Sequence, residues 1–317
     1  MIRARTCTVL IALAILAACR PVEPSTDRPA SPASTPTAGS FVALAPDVHE
    51  PCGIAASPGD LWVLACSGSV VRVPLTGGAR TTTRVEGDLV GLDGIASGDA
   101  DSVWVSLAAG SKGGREGSMS RIDAKSAALI GSVSLGSSIP IHATFAAGRL
   151  WVGTVDGKLF SLDGAKSRQI ASGPPLVWVL AADDRLYTVA DNGDVTERAL
   201  PDGTSERTHN GVLAESIAAA AGLGSVWLAN DAGVVRLDLG SGRILRVAVD
   251  GTVNDIEGCG GSMWFSQADF GLRSVDASGS VRRSVQLSPG ARYLRCLGAR
   301  LWILTEDGRL GSIDPQA

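Results

Sequence analysis

The chain has 317 residues, 39 of them glycine, with few aromatic side chains and a formal charge of −4. A chain of this length can bury a large core within one domain. Because it holds no long run of like charges and no basic stripe, its composition argues against a nucleic-acid partner.

The first eighteen residues have the pattern of a secretory signal. Arg3 and Arg5 precede an apolar run, residues 9–18, that is too short to span a bilayer comfortably. The run leads into the residues LAAC (16–19), which resemble the bacterial lipobox, in which the cysteine becomes the lipidated N-terminal residue after cleavage. An ordinary signal peptide cleaved nearby is the alternative. Residues 1–18 are thus predicted to be a lipoprotein signal peptide, with lipid on Cys19 anchoring the mature protein to a membrane.

Residues 19–39 are rich in proline, serine, threonine and alanine. Such a composition cannot bury a core and favours an extended, solvated chain. At about 3.1 Å per residue, twenty extended residues reach about 60 Å. We therefore expect a disordered tether that holds a folded domain, residues 40–317, on the extracytoplasmic face of a cell membrane or outer membrane.

An aromatic residue recurs within a similar apolar pattern along the rest of the chain. Successive anchors are 36 to 47 residues apart and average 40. Seven units at this period are typical of a propeller or a solenoid, and short β-rich runs bounded by Gly, Asp or Asn favour strands. We expect the anchors to be core residues between blades. They are Trp62, Trp104, Trp151, Tyr187, Trp227, Trp264 and Trp302.

The predicted fold is an all-β, seven-bladed β-propeller with four antiparallel strands per blade. The fifth unit is the clearest: strands are predicted over 216–220, 225–230, 234–237 and 243–249. The last unit ends after its third strand, near residues 309–313. An N-terminal strand at 40–45 is predicted to supply the missing fourth strand, so that the ring closes and the exposed sheet edges disappear.

The segment 225–251 resembles the YVTN-type repeat and the related virginiamycin B lyase-like and NHL propellers. The resemblance implies a propeller fold, and such propellers perform many functions. Virginiamycin B lyase-like enzymes use a metal and a channel histidine. Of the residues here, His142, with Glu215, is the candidate for a corresponding catalytic role.

Four cysteines remain in the predicted domain, an even number for an exported protein. Cys52 and Cys66 flank a turn almost symmetrically, which predicts a disulfide across the first hairpin. Cys259 and Cys296 precede their tryptophans by five and six residues, which predicts a second disulfide between adjacent blades. Free buried thiols are the alternative for both pairs.

Counting back from each aromatic anchor predicts which residue begins the innermost strand of each blade. Most members of this predicted ring are polar or ionisable, and we expect them to surround the mouth of the central channel as ligand-binding residues. The predicted ring is Cys52, Asp93, His142, Trp178, Glu215, Asp255 and Tyr293. Further candidates beside it are His49, Glu50, Asn254, Glu257, Arg292 and Arg295.

The predicted ring suggests two kinds of ligand. Asp93, Glu215 and Asp255 offer oxygen ligands for Ca²⁺ or Mg²⁺. Trp178 and Tyr293 offer flat faces for a sugar-like or cationic ligand. The simplest alternative is a hydrated channel mouth without a ligand.

Three functions remain open at this stage. The favoured hypothesis is a monomeric, lipid-anchored module that binds an extracytoplasmic protein, peptide or glycan and is not an enzyme. A flexible insertion at 108–119 would serve as its lid or partner-contact loop, and a tolerated insertion without a function is the alternative. The second hypothesis is a metal-dependent lyase or lactonase-like hydrolase that uses the polar ring. The third is an assembly factor, like propeller lipoproteins that help to insert outer-membrane proteins.

Overall fold

A computed structural model describes residues 42–43, 48, 50–89, 94–98, 101–111, 114–249, 251–267 and 271–316. The signal peptide 1–18, the tether 19–39 and most of the strand predicted at 40–45 lie outside this range. So do Cys19, His49 and Asp93. The described residues form strands and turns without a helix, and hence no helix among them is long and apolar enough to cross a membrane.

The strands form seven antiparallel sheets, each of which is one blade of a β-propeller. Blade 1 contains β2–β5, blade 2 β6–β10, blade 3 β11–β14, blade 4 β15–β18, blade 5 β19–β22 and blade 6 β23–β26; blade 7 contains β27–β29 and β1. The strands up to blade 3 are β1 (Val42–Ala43), β2 (Pro51–Ser57), β3 (Asp60–Ala65), β4 (Ser69–Pro74), β5 (Thr81–Arg84), β6 (Asp88–Leu89), β7 (Ile95–Ser97), β8 (Ser102–Ser111), β9 (Gly114–Asp123), β10 (Leu129–Ser134), β11 (Pro140–Ala146), β12 (Arg149–Thr154), β13 (Lys158–Asp163) and β14 (Lys166–Ser172). The strands of blades 4 to 7 are β15 (Leu176–Ala182), β16 (Arg185–Ala190), β17 (Val195–Ala199), β18 (Ser205–His209), β19 (Ala218–Gly222), β20 (Ser225–Asn230), β21 (Gly233–Asp238), β22 (Ile244–Val247), β23 (Val253–Cys259), β24 (Ser262–Gln267), β25 (Gly271–Val275), β26 (Val281–Val285), β27 (Ala291–Leu297), β28 (Arg300–Thr305) and β29 (Arg309–Ile313).

The predicted closure of the ring is confirmed. Val42 pairs with Leu310 and Ala43 with Arg309, so β1 adds the outermost strand to blade 7. Each inner strand contacts the inner strands of both neighbouring blades, and β27 contacts β2. The predicted fold class is therefore correct: all-β, seven blades, with the N-terminal strand completing the last blade.

Six of the seven aromatic anchors are buried between blades, as predicted, and Trp302 is partly buried. The indole Nε1 of Trp62 donates to Ser57 Oγ at 2.9 Å, and that of Trp227 donates to the carbonyl of Gly222 at 3.1 Å. Both acceptors lie five residues earlier, at the end of the inner strand of the same blade. A buried indole N–H needs such a partner, so the spacing fixes the tryptophan against its hairpin.

Several tryptophans are also covered by an arginine of the next strand. Arg72 lies directly opposite Trp62 in the β3–β4 ladder, with its guanidinium carbon 5.9 Å from the ring centroid. Arg236 lies opposite Trp227 in blade 5 at 5.8 Å. Cation–π contacts of this kind contribute about 0.5–1 kcal/mol each. They explain why a basic residue recurs in third strands that are otherwise apolar.

Candidate functional site

The inner strands of six blades surround a central cavity of about 360 Å³. Much of its wall consists of alanine and glycine, because the innermost edges of the sheets converge there and leave little room for side chains. Its lining residues are Ile95, Ala96, Gly98, His142, Ala143, Thr144, Phe145, Val179, Leu180, Ala181, Ala219, Ala220, Ala221, Asp255, Ile256, Glu257, Gly258 and Arg295. The volume suits a small ligand or ordered water.

In three of the seven blades, the residue found at the ring position of the inner strand is not the residue that the sequence predicted. Most blades have a β-bulge after the first residue of the inner strand. The next residue of that strand to pair with the second strand is therefore its third residue. This third position holds His142, Trp178, Asp255 and Tyr293, as predicted. In blades 1, 2 and 5 it holds Gly53, Gly94 and Ala218.

The predicted Cys52 and Asp93 are therefore one residue early, and Asp93 itself lies outside the described residues. Glu215 is three residues early. It is exposed, has a φ of +53°, and lies in the turn before β19, where its N–H donates to the carbonyl of Asp191. Glu215 does not line the cavity with His142 and Asp255.

Side chains at the third position point towards the next blade. His142 Nδ1 is 3.3 Å from the backbone nitrogen of Val179 and 3.0 Å from its carbonyl oxygen. In the same way Asp255 Oδ2 accepts the N–H of Leu294 at 2.7 Å. The residues that resembled a binding ring in the sequence thus bind the exposed backbone edge of the neighbouring inner strand.

The two aromatic members of the ring are also packed between blades. The Nε1 of Trp178 donates to the carbonyl of Ser216 in blade 5 at 3.1 Å, and its ring meets the imidazole of His142 edge-on at 4.8 Å. Tyr293 is buried against Ile54 of blade 1. Neither ring is presented as a flat, open face for a ligand.

One end of the cavity is charged. Arg295 Nη1 lies 3.6 Å from Asp255 Oδ2 and 3.7 Å from Glu257 Oε2, and all three side chains are at least three-quarters buried. Glu257 Oε1 also accepts the N–H of Cys296 at 3.0 Å. Two carboxylates and one guanidinium give this end a formal charge of −1, facing the alanine-lined wall of blades 4 and 5.

Of the other candidates beside the ring, Asn254 and Arg292 lie at the seam between blades 6 and 7, and Glu50 precedes the inner strand of blade 1. Asn254 Nδ2 donates to the carbonyl of Ala291 at 3.1 Å, and Arg292 lies 5.5 Å over the ring of Tyr293. Glu50 is exposed, and its carbonyl accepts the N–H of Cys66 at 3.0 Å. Hence Asn254 joins blades 6 and 7, Arg292 lies over a ring of its own strand, and neither lines the cavity.

The described residues contain no group of three or more His, Cys, Asp or Glu side chains that is placed to hold a metal ion. The geometry separates Glu215 from Asp255, so this pair does not form the predicted Ca²⁺ or Mg²⁺ site. The third member of that predicted set, Asp93, lies outside the described residues.

Both predicted disulfides are present. Cys52–Cys66 joins β2 to the turn after β3 in blade 1, and Cys259–Cys296 joins the inner strands of blades 6 and 7. Their Cα atoms are 5.1 Å and 5.4 Å apart, in the usual range for a disulfide. The second bridge lies beside the charged end of the cavity and fixes that seam covalently.

The insertion predicted to be flexible at 108–119 is a regular hairpin. β8 and β9 are ten residues each and remain paired from Ser102–Asp123 to Ser111–Gly114. Gly94 lies opposite Ser106 in this ladder, so the hairpin extends beyond the point at which the inner strand begins. β8 and β9 are ten residues long, whereas the corresponding strands β12 and β13 of blade 3 are six, and the four further residues correspond to about 13 Å of extra length.

The base of this hairpin is clamped on both sides. On one side, β6 pairs with Leu107 and Ala108. On the other, the N–H of Gly117 donates to the carbonyl of Gly136 at 2.8 Å, and the N–H of Leu135 donates back to Gly117. One sequence signal pointed to this hairpin. Ser118, Met119 and Ser120 alternate in polarity as a strand does, and they precede Arg121 at the end of the Gly-rich stretch.

No protein-family model matches this chain, and a comparison with curated proteins finds no match. Among solved structures, the WD40 β-propeller domain of Doa1 superposes with a TM-score of 0.66 at 11% identity, covering 86% of this chain and 95% of that one. BamB from Moraxella catarrhalis superposes with a TM-score of 0.62 at 15% identity, covering 88% and 99%. At these identities the likeness shows the fold alone: the chain is a β-propeller similar in architecture to both.

Proposed function

We propose that this protein is a lipid-anchored, extracytoplasmic propeller that binds a partner through the face on which its inner strands begin. The observation that carries the proposal is the hairpin β8–β9, which rises from that face on a clamped base. A preorganised element loses little conformational entropy on binding, and projecting segments on a rigid scaffold are common contact surfaces.

The polar residues of the inner strands support binding rather than catalysis. A general base needs an imidazole or carboxylate that can reach a substrate proton. Here the Nδ1 of His142 contacts the backbone of Val179, and both oxygens of Asp255 accept backbone N–H groups, from Ile256 and Leu294. These groups hold blades together, so we look to the projecting hairpin for the contact surface, where Glu116 is exposed.

Photo-crosslinking in intact cells tests the hairpin. A photoreactive amino acid at Glu116, which is exposed on β9, is expected to give a defined crosslinked species. The matched control is Asp163, which is exposed at the end of β13, near the opposite face. Replacing residues 109–116 by Asn-Gly joins Ala108 to Gly117, which are already paired, and so shortens the ladder without disturbing the blade.

The expected result is a crosslink from Glu116 and none from Asp163. The shortened variant should no longer co-purify the species that is crosslinked from Glu116, while its melting temperature stays unchanged. The same crosslinked species from both sites, or a partner retained by the folded shortened variant, would contradict the proposal.

The proposed anchor is tested separately, because it rests on the sequence around Cys19. In Cys19→Ser, labelled fatty acid should no longer be incorporated, and the protein should leave the membrane fraction. The folded domain should be unaffected, since Cys19 takes part in neither disulfide. Unchanged labelling would reject Cys19 as the lipid site without bearing on the hairpin.

A further inference from the structure

A second cleft lies between blades 3 and 4, away from the central cavity. Its volume is about 200 Å³, below the roughly 300–1,000 Å³ of pockets that hold drug-sized ligands. Blade 3 contributes Leu159 and Gly173, among others, to one wall. Blade 4 contributes three threonines and one arginine to the other: Thr188, Thr196, Thr208 and Arg198.

Arg198 is the only basic side chain in the lining of this cleft. Its Nε donates to Thr188 Oγ1 at 3.3 Å and its Nη1 donates to the carbonyl of Gly203 at 3.2 Å, so both partners are uncharged. Burial lowers the pKa of the Arg198 guanidinium, and no nearby carboxylate offsets this effect. In the described part of the chain, Arg198 forms no ion pair.

The hydroxyl groups lie along the same face of blade 4 as Arg198. Thr188 and Thr196 are cross-strand partners, and Thr196 Oγ1 lies 3.2 Å from Thr208 Oγ1. Asp194 borders the cleft two residues before Thr196, but its carboxylate is already used. Its Oδ1 accepts the N–H of Gly211 at 2.8 Å, and its Oδ2 accepts from Asn192 at 2.9 Å.

We propose that this cleft binds a small organic monocarboxylate, with the carboxylate on Arg198 and the threonine hydroxyls contacting the rest of the ligand. A partly buried guanidinium without an anion is unfavourable, and the planar guanidinium matches a carboxylate in geometry. One arginine compensates one negative charge, and Asp194 at the border disfavours a dianion. The cleft shares no lining residue with the hairpin β8–β9, and the proposal does not depend on the proposed partner binding.

The test is a titration of the purified full-length protein in detergent with L-lactate, followed by calorimetry. Lactamide has nearly the same shape without the charge and serves as the matched probe. We expect millimolar binding of lactate and at least tenfold weaker binding of lactamide. Arg198→Met should weaken lactate binding at least tenfold, whereas Arg246→Met, at an exposed arginine of β22, should leave it unchanged.

A second variant keeps the test informative if Arg198→Met does not fold. Thr196→Val retains the arginine and the shape of the cleft but removes one hydroxyl, and should weaken lactate binding about threefold or more. Equal binding of lactate and lactamide, or unchanged affinity in folded Arg198→Met or Thr196→Val, would overturn the site. Tighter binding of inorganic phosphate than of lactate would overturn its assignment to monocarboxylates.

Discussion

The seam between blades 5 and 6 and the seam between blades 6 and 7 use the same geometry with different chemistry. At the inner strands, the first is lined by Ala218 and Ala220 against Val253 and Ile256. The second is bridged by the Asp255, Glu257 and Arg295 cluster and by a disulfide, although apolar packing continues farther out. A propeller seam can therefore be closed by small apolar residues or by polar groups that bind the backbone edge of the next blade.

This comparison explains why the sequence signal for a site was misleading. Polar residues near the axis suggest a ligand, but the inner strand has an unpaired backbone edge, and that edge needs hydrogen-bond partners of its own. Asp255 meets this need at Leu294, and Glu257 meets it at Cys296. In blade 5 Ala218 has no side-chain acceptor, and the corresponding N–H of blade 6, that of Ile256, donates to Oδ1 of Asp255 at 2.8 Å.

The largest expected effect is the loss of the covalent link in the polar seam. Cys259→Ala with Cys296→Ala opens a bridge between residues 37 apart, which the chain-entropy account values at about 4 kcal/mol. Cys52→Ala with Cys66→Ala opens a bridge between residues 14 apart and should cost about 1 kcal/mol less. Urea unfolding of both double variants measures which one loses more free energy of unfolding. A larger loss for the variant that opens the shorter loop would contradict the prediction.

The next effect tests the charge cluster of the same seam. Asp255→Ala should lower the free energy of unfolding by about 3 kcal/mol. It leaves the Leu294 N–H without its acceptor and removes one of the two negative charges beside Arg295. Asp255→Asn keeps an acceptor and should lose less. Urea denaturation measures both, and a change below about 0.5 kcal/mol in Asp255→Ala would show that the cluster is not structural.

The comparison is sharpest when the polar seam is converted into the apolar one. Asp255→Ala, Glu257→Ala and Arg295→Leu together remove both carboxylates and the guanidinium. Replacement of a buried ion cluster by apolar residues is often neutral or stabilising, so the triple variant should recover the part of the Asp255→Ala loss that comes from the unbalanced charges, but not the part that comes from the N–H of Leu294. If the triple variant is less stable than the single one, the two seams are not interchangeable.

A smaller effect is expected at Ser266, which lies opposite Asp255, whereas Ala229 lies opposite Ala218 in blade 5. Ser266 Oγ donates to the carbonyl of Arg292 at 3.2 Å across the polar seam. Ser266→Ala should cost about 1 kcal/mol, because it removes one buried hydrogen bond. Thermal unfolding detects this loss, and an unchanged melting temperature would show that the contact adds nothing to the seam.

The sequence was sufficient for the fold because its signals are local. The aromatic period, the glycine turns and the pairing of Cys52 with Cys66 each depend on one hairpin and its neighbours. The register of the inner strands depends on a β-bulge that has no fixed sequence signature, so Cys52 was placed one residue early. The placement of Glu215 failed because a turn with positive φ, not a strand, precedes Ala218.

The direction of the side chains could not be predicted in the same way. Residues at the start of an inner strand turn towards the next blade, and only the closed ring shows which backbone group each one meets. Arg198 was missed for a related reason. Its sequence context, Thr-Glu-Arg, is that of an ordinary exposed third strand, and the cleft around it exists only when blade 3 packs against blade 4.

The smallest expected effect is a pH dependence of the free energy of unfolding that arises from aspartates in the turns, not from the seams. At turns far from the seams, Ser278 donates to the carboxylate of Asp276, and this bond, with backbone N–H groups and Arg282, holds the pKa of Asp276 well below its usual range. Hydrogen bonds from Ser126 and Ser241 likewise lower the pKa of Asp123 and of Asp238. The folded state therefore binds these protons less readily than the unfolded state does.

A lowered carboxylate pKa stabilises the folded state fully above the unfolded pKa of about 3.9, and this stability is lost as the pH falls through the folded pKa. Asp276→Asn removes the titrating group, so it should be less stable than the parent at pH 6, and this gap should narrow as the pH falls from about 4 to about 2. Ser278→Ala, which removes the largest contributor, should behave similarly with a smaller gap. Urea unfolding across this range measures the gap, and a gap that widens in acid would mean that these turns are held by something other than the charged carboxylate.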